Sequence, residues 1–364
     1  MNNPASQVNI FNLKKNDVSF LLNQIRLPKF RLQQIYHWLY TKGIFSFDAM
    51  SNIAKAEIAQ LKTVFKIELP LILSDISSID KTRKWLLAFE DGSEVEMVFI
   101  PEDNRGTLCI SSQVGCTLSC KFCYTGTQLF VRNLQFGEIV AQLLLAKHLL
   151  QDFDVGKKII TNIVFMGMGE PFFNYDNVSE AVKIMNDCEG LNYSLGKMTV
   201  STAGLVPEIL RSSTEIKTNL AVSLHSAFDN IRSDIMAINK KYNIDTLMKA
   251  CREYNKILPQ RKIMFEYSLL ENVNDSEKDA LELVRIINKY NVHCKVNLIP
   301  FNSWCGVRFN PAPVAKIIEF QKILKKNNIM ATIRKTRGDD NLAACGQLKS
   351  SSIRQPLSQN LGNK

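Results

Sequence analysis

Apolar residues recur at intervals of three and four over positions 17–25, 30–40 and 49–65, with Pro28 and Gly43 as punctuation. That spacing predicts three helices, and the first seventy residues read as a small accessory domain. The pattern then changes. In K-W-L-L-A-F-E-D-G-S-E-V-E-M-V-F-I-P, from Lys84 to Pro101, alternation runs on both sides of Asp91-Gly92, the pairing expected of a β-hairpin turn. Six short β-rich runs follow, at 107–111, 162–166, 197–202, 219–224, 262–269 and 294–299, each succeeded by a polar loop and a helical pattern. Such βα units build a parallel sheet with crossover helices. Six of them predict an α/β fold with a partial, TIM-like (β/α)6 barrel, although periodicity leaves an open doubly wound sheet as an alternative. One more β-rich run, 329–335, precedes a polar end. The expected organisation is a helical, RNA-binding accessory domain over 1–75 and a hairpin linker over 76–104. A barrel over 105–335 and a C-terminal segment over 336–364 complete it, the latter reading as disordered from Lys349 onward.

Composition narrows the class. With 46% hydrophobic and 22% charged residues in 364, the chain has ample apolar side chain for a large core, which excludes global disorder and collagen-like structure. The most apolar stretch, 141–150, is broken by Gln142, Lys147 and His148, and the first residues carry no cationic flank with an apolar run. Neither a membrane span nor a secretory signal is expected, and the chain reads as cytoplasmic. The net charge of +10 is uneven: residues 1–70 carry +5, residues 321–364 carry +7, and the middle is close to neutral. Cationic ends around a neutral body suit a polyanionic partner such as nucleic acid. Lys29, Arg31, Tyr36, Trp38, Tyr40 and Lys42 interleave cations with aromatics, which either stack on bases or form the accessory domain's own core.

The chemistry concentrates in cysteine. Cys116, Cys120 and Cys123 stand in G-C-T-L-S-C-K-F-C-Y-T-G, directly after the first barrel strand. Three soft thiolates so close together suit zinc or an iron-sulfur cluster. Structural zinc sites take four ligands, commonly in paired knuckles, and no second knuckle is present. Three ligands on a cuboidal cluster leave one iron open to a small molecule. Later strand ends carry matching loops: M-G-M-G-E-P (Gly167, Gly169, Glu170), V-S-T-A-G (Ser201), S-L-H-S (Ser223, Leu224, His225) and L-I-P-F-N (Pro300, Asn302). Carboxyl ends of barrel strands are where such folds place active sites.

The C-x3-C-x2-C spacing, with Phe122 before its last cysteine, resembles the radical S-adenosylmethionine (SAM) superfamily. Cys109 in T-L-C-I-S-S-Q and Cys345 in R-K-T-R-G-D-D-N-L-A-A-C-G-Q-L, together with M-G-M-G-E-P and S-L-H-S, extend the resemblance to bacterial dual-specificity RNA methyltransferases, from about Lys14 to Leu348. The resemblance implies one 4Fe-4S cluster on Cys116, Cys120 and Cys123, with SAM held by Gly169, Glu170, Ser201, Ser223, Leu224, His225 and Asn302. It implies methylation at C2 of an adenine in 23S rRNA and in tRNA, with two SAM molecules consumed. Cys345 would carry the methyl group, Cys109 would resolve the adduct through a transient disulfide, and Glu96 or Cys109 itself would take the C2 proton. Read without the resemblance, Glu96 is an exposed strand residue. An electron donor such as flavodoxin is implied, and no heptad demands a second copy, so a monomer is expected. Two alternatives stand beside this reading: the sister family that methylates C8 of the same rRNA adenine, and a non-catalytic zinc-dependent RNA-binding protein. The chain departs from the family pattern at Tyr124 and Leu129. Cys188, Cys251, Cys294 and Cys305 lack partners at ligand spacing and read as small buried hydrophobes.

Overall fold

A computed structural model describes residues 7–153, 158–338 and 342–352. Ten strands form one continuous sheet in chain order. The first three, β1 (Leu71–Ser77), β2 (Arg83–Ala88) and β3 (Glu94–Glu102), pair antiparallel. Next, β4 (Arg105–Cys109) pairs antiparallel with β3 and parallel with β5 (Asn162–Phe165). The parallel series continues through β6 (Met198–Thr202), β7 (Asn219–Ser223), β8 (Ile263–Leu269), β9 (Cys294–Pro300) and β10 (Ala331–Ile333). The two ends of the sheet, β1 and β10, do not pair, so the expected partial barrel is present and stays open. All six predicted barrel strands form within a residue or two of their sequence positions, and the run at 329–335 supplies a seventh parallel strand.

Crossover helices follow the strands: α4 (Phe136–Leu149), α5 (Tyr175–Asn186), α6 (Val206–Glu215), α7 (Asp229–Ile235), α8 (Ile244–Ile257), α9 (Glu277–Tyr290) and α10 (Val314–Lys326). Before them, the N-terminal region carries α1 (Lys15–Gln24), α2 (Phe30–Tyr36) and α3 (Lys55–Val64). Here α3 begins six residues later than the periodicity suggests. The Ala54 N–H donates to the Glu57 carboxylate at 3.2 Å, capping the helix at that point, while Phe47–Ala49 makes a separate short turn. Tyr36 and Tyr40 are buried with ring centroids 5.1 Å apart, which assigns these two aromatics to the domain's own core.

Two expectations need correction. The hairpin is not a linker: preceded by β1, whose exposed apolar positions gave no alternating signal, it extends the barrel sheet edgewise. Residues 349–352 are not disordered. The Lys349 N–H donates to Glu96 Oε2 at 2.9 Å, the Ser350 N–H to Gln128 Oε1 at 3.1 Å, and the Glu94 N–H to Ser352 Oγ at 2.7 Å. Their polarity is that of a strap satisfied by side-chain partners. The rest of the polar end, 353–364, lies outside the described residues, as do Asp339, Asp340 and Asn341 of the basic motif.

One buried cation ties the strand ends together. Arg232 on α7 is fully buried and donates to the carbonyls of Leu224 (2.9 Å), Ala203 (2.7 Å) and Ser223 (3.0 Å) and to Asn239 Oδ1 (2.7 Å). These are the loops that leave β6 and β7. Replacing Arg232 with Met removes the guanidinium donor from four acceptors, and we expect a loss of about 3 kcal/mol or more in folding stability, measured by urea denaturation.

Candidate active site

The carboxyl ends of β4 to β9 open into one cleft of about 160 Å³. Cys116, Cys120 and Cys123 line it from the loop after β4, and Gly169 and Glu170 from the loop after β5. Ser201, Ser223 and His225 line it from the next two strand ends, and Cys345 from the C-terminal segment. The structure therefore brings together most of the residues singled out by sequence.

The cysteine loop is folded tightly on itself. The Cys123 N–H donates to the Cys120 carbonyl and the Gly126 N–H to the Cys123 carbonyl, both at 3.1 Å, and a Cβ at position 126 would lie 2.7 Å from the Cys120 carbonyl oxygen. The Cys116 sulfur accepts from the Leu118 N–H at 3.3 Å within the same loop. Burial, reinforced by the other thiols, pushes Cys116 up to about 12 and raises Cys120 and Cys123 as well. Thiols in this setting ionise only against strong positive charge, which a cationic metal centre supplies. Among the described residues no three His, Cys, Asp or Glu side chains converge as a single ion requires. Three thiols spread around one cleft fit a multi-iron cluster, whose volume separates its ligands, better than the tetrahedral shell of one zinc ion.

The loop after β5 is built by Gly169, with φ +93°, where a Cβ would come within 2.4 Å of the Gln113 Cβ. Glu170 follows. Its two carboxylate oxygens accept from the N–H groups of Phe172 (3.1 Å) and Ala203 (2.8 Å), which locks the β5 and β6 loops together. Burial nonetheless lifts Glu170 to about 7. His225, also at positive φ, accepts the Ser268 N–H on Nδ1 at 2.9 Å, so its proton sits on Nε2. Burial drops it to about 3, and the ring is neutral.

Two residues of the predicted SAM set, Leu224 and Asn302, do not line this cleft. Leu224 is wholly buried and does not line the cleft, because its backbone is bent toward Glu266 and Arg232: its N–H donates to the Glu266 carbonyl at 3.0 Å. Asn302 lines a smaller neighbouring pocket and donates to the Cys345 carbonyl at 3.3 Å. That pocket holds Cys109 and is also lined by Cys345. The two distant cysteines thus meet, and burial together with the neighbouring Cys345 pushes Cys109 up to about 12.

Glu96 is buried at 6% exposure rather than standing on an exposed strand. It sits on β3, one same-face step from Val98, which pairs with Cys109. Lys84 meets its Oε1 at 2.9 Å and the Lys349 N–H its Oε2. Burial raises its pKa, and these two partners oppose the rise. Of the four leftover cysteines, Cys251 is buried and Cys294 partly so, whereas Cys188 and Cys305 are exposed and do not fit the expected small-hydrophobe role. Sequence reasoning missed Glu266, which lines the cleft, and Arg334, which lines both the cleft and the pocket. Arg334 lay in view within R-K-T-R-G but read only as general basic character.

An open barrel with three cysteines on the first strand's loop defines a radical SAM protein, and the radical SAM superfamily model matches residues 110–284. Residues 8–67 match the ribosomal RNA large subunit methyltransferase N-terminal domain. The dual-specificity RNA methyltransferase RlmN of Rhodospirillum rubrum is 47% identical over 98% of this chain and 83% of its own length. That of Zymomonas mobilis is 45% identical over 96% and 91%. A radical SAM methyltransferase from Sphaerobacter thermophilus superposes with a TM-score of 0.89 at 38% identity, covering 94% of this chain and 99% of that one. The chain belongs to the RlmN family. Its cofactors are accordingly a 4Fe-4S cluster and SAM.

The Gly169 turn offers a direct check on the cleft. Gly169→Ala combines a disfavoured φ with an overlap against Gln113, so we expect about 2 kcal/mol of destabilisation by denaturant titration and weaker SAM binding by calorimetry. A variant that matches the parent in both would show that this backbone shape is unnecessary.

Proposed function

We propose that this chain transfers a methyl group to C2 of adenine in 23S rRNA, at the peptidyl-transferase centre, and in tRNA, beside the anticodon. Adenine C2 is an electron-poor aromatic carbon and does not attack a methylsulfonium as an amine would. The incoming carbon must therefore be activated as a radical. One arrangement supports the reading above all others: Cys345 lines both the three-cysteine cleft and the pocket of Cys109.

Cys116, Cys120 and Cys123 would hold a 4Fe-4S cluster, which with SAM would supply the one-electron chemistry needed to take hydrogen from a methyl group. Cys345 provides that methyl group. Its thiolate first attacks the methyl carbon of one SAM and S-adenosylhomocysteine leaves, giving an S-methyl side chain at Cys345, and a second SAM is spent on activating it. Once the carbon has joined C2, the adduct links Cys345 to the RNA. Glu96 takes the C2 proton. The unpaired electron left on the base by radical addition would return to the oxidised cluster; the Cys109 thiolate then attacks the Cys345 sulfur, the carbon–sulfur bond breaks toward the base, a proton completes the new methyl group, and a Cys109–Cys345 disulfide remains for cellular thiols to reduce. Burial raises Glu96 toward the range in which a carboxylate accepts a proton efficiently.

The N-terminal helical region and the cationic C-terminal segment are the RNA-docking parts of this reading, the electron donor is of the flavodoxin type, and the chain acts as a monomer in the cytoplasm. No helix among the described residues is long and apolar enough to cross a membrane.

The decisive experiment compares the parent with Cys345→Ala after anaerobic reconstitution. We expect RNA methylation to fall below detection while reductive SAM cleavage stays measurable. Mass mapping of the parent's product should place the methyl on C2. Normal product from the variant, or methyl on C8, would defeat the proposal.

A further inference from the structure

Cys345 must keep one sulfur available in two directions, toward SAM in the cleft and toward Cys109 in the adjoining pocket. The segment that carries it is fixed by backbone bonds: the Gly346 carbonyl accepts the Tyr124 N–H at 2.7 Å, and the Cys345 carbonyl accepts from Asn302. Those bonds place the main chain but leave the direction of the sulfur undetermined. Arg334 supplies what is missing. Its own backbone N–H continues the β9–β10 ladder, donating to the Leu298 carbonyl at 2.8 Å. From that rigid position Arg334 forms, together with Cys345, part of the wall shared by the cleft and the pocket, and the neighbouring Cys345 strengthens the hold of the guanidinium on its proton.

A guanidinium with fixed planar donors is suited to that task. Behind it stands Glu266 on β8, only 4% exposed, with Oε2 accepting from Asn297 at 2.8 Å and Oε1 without a partner among the described residues. The charge of Arg334 is strengthened first by Cys345, then by Glu266 and Cys109. The cation is therefore held between a carboxylate on one strand and the two sulfurs that react with each other.

We propose that Arg334 is the residue that directs and holds the Cys345 sulfur as a nucleophile at the boundary of the two pockets, with the Glu266 carboxylate as its countercharge in the same cleft wall. This rests on the reading of Cys345 as the methyl carrier and adds how that sulfur is presented. The same contact serves both polar steps. In the first, the sulfur attacks a methyl group with sulfonium departure. In the last, it must lie within reach of Cys109.

The test uses the cluster-loaded protein under anaerobic conditions, without SAM or RNA. Iodoacetamide is added at one fixed pH, and alkylation of Cys345 and of the exposed Cys188 is followed by peptide mass spectrometry. In Arg334→Gln we expect Cys345 to react about tenfold more slowly, while Cys188 reacts at the parental rate. Arg334→Lys keeps the charge but loses the fork, and should restore the rate to within about threefold of the parent. Equal or faster alkylation of Cys345 in Arg334→Gln overturns the proposal. So does a lysine variant no better than glutamine. Should Arg334→Gln not fold, Arg334→Lys decides against Arg334→Ala supplemented with guanidine, where rescue supports the proposal and its absence overturns it. Failure of the Cys345→Ala experiment would instead remove the methyl carrier and leave this alkylation result standing by itself.

Discussion

A single backbone hydrogen bond, from the Tyr124 N–H to the Gly346 carbonyl, joins the cysteine loop to the C-terminal segment. Cys123 and Cys345 belong to segments more than two hundred residues apart, and they share a cleft because those segments are bonded at this point. Thr125 Oγ1 donating to the Leu348 carbonyl and the Gln128–Ser350 pair extend the attachment along the strap. Gly346 itself has φ +82°, a conformation that a residue with a Cβ rarely adopts, so the sharp turn after Cys345 depends on glycine. A cofactor cleft without this attachment would still have its three cysteines but would lose Cys345 from its wall.

The three added antiparallel strands take their meaning from the same constraint. In a barrel of parallel strands alone, the face of β4 that bears Cys109 would be an exposed edge. Continuing the sheet through β3 and β2 covers that edge and lines up Lys84, Glu96, Val98 and Cys109 on one face, since pairs across antiparallel strands share a side. The strap then closes over Glu96. The carboxylate is thereby desolvated without being left alone, held between a lysine and a backbone N–H.

Much of this could be read in advance. The six βα units and the cysteine spacing are local signals, each carried by a few consecutive residues, and the structure reproduces them. What escaped was long-range. β1 presents Leu71, Leu73 and Ile76 to solvent, so its apolar pattern does not report a buried face. Ser350 to Ser352 look like tail in composition and are held by Gln128 and Glu94, partners that no local window contains. Leu224 stands in a loop motif with Ser223 and His225, yet backbone bonds to β8 turn it inward. Arg232 and Arg334 show the same limit: a basic residue on a helix or after a strand gives no sign that it will be buried, as Arg232 is, or line the cleft, as Arg334 does.

Those two arginines answer a common electrostatic need. Sulfur chemistry in a cleft shielded from water requires anions, and anions in such places require fixed positive charge nearby, because mobile counterions and water dipoles are excluded. Arg232 is pushed down to about 10 by burial, with Cys120 and Asp229 acting against the fall, while Arg334 is raised by Cys345. One guanidinium thus stands on the cluster side of the cleft and the other on the carrier side. Both are anchored on barrel elements rather than on the loops that bear the cysteines: Arg232 by carbonyls of β6 and β7 loops, Arg334 by the β9 ladder. Placing the charge on the rigid frame and the sulfur on the loop lets any charge that develops on sulfur meet a background that does not have to reorganise, the physical condition the proposed chemistry at Cys345 needs.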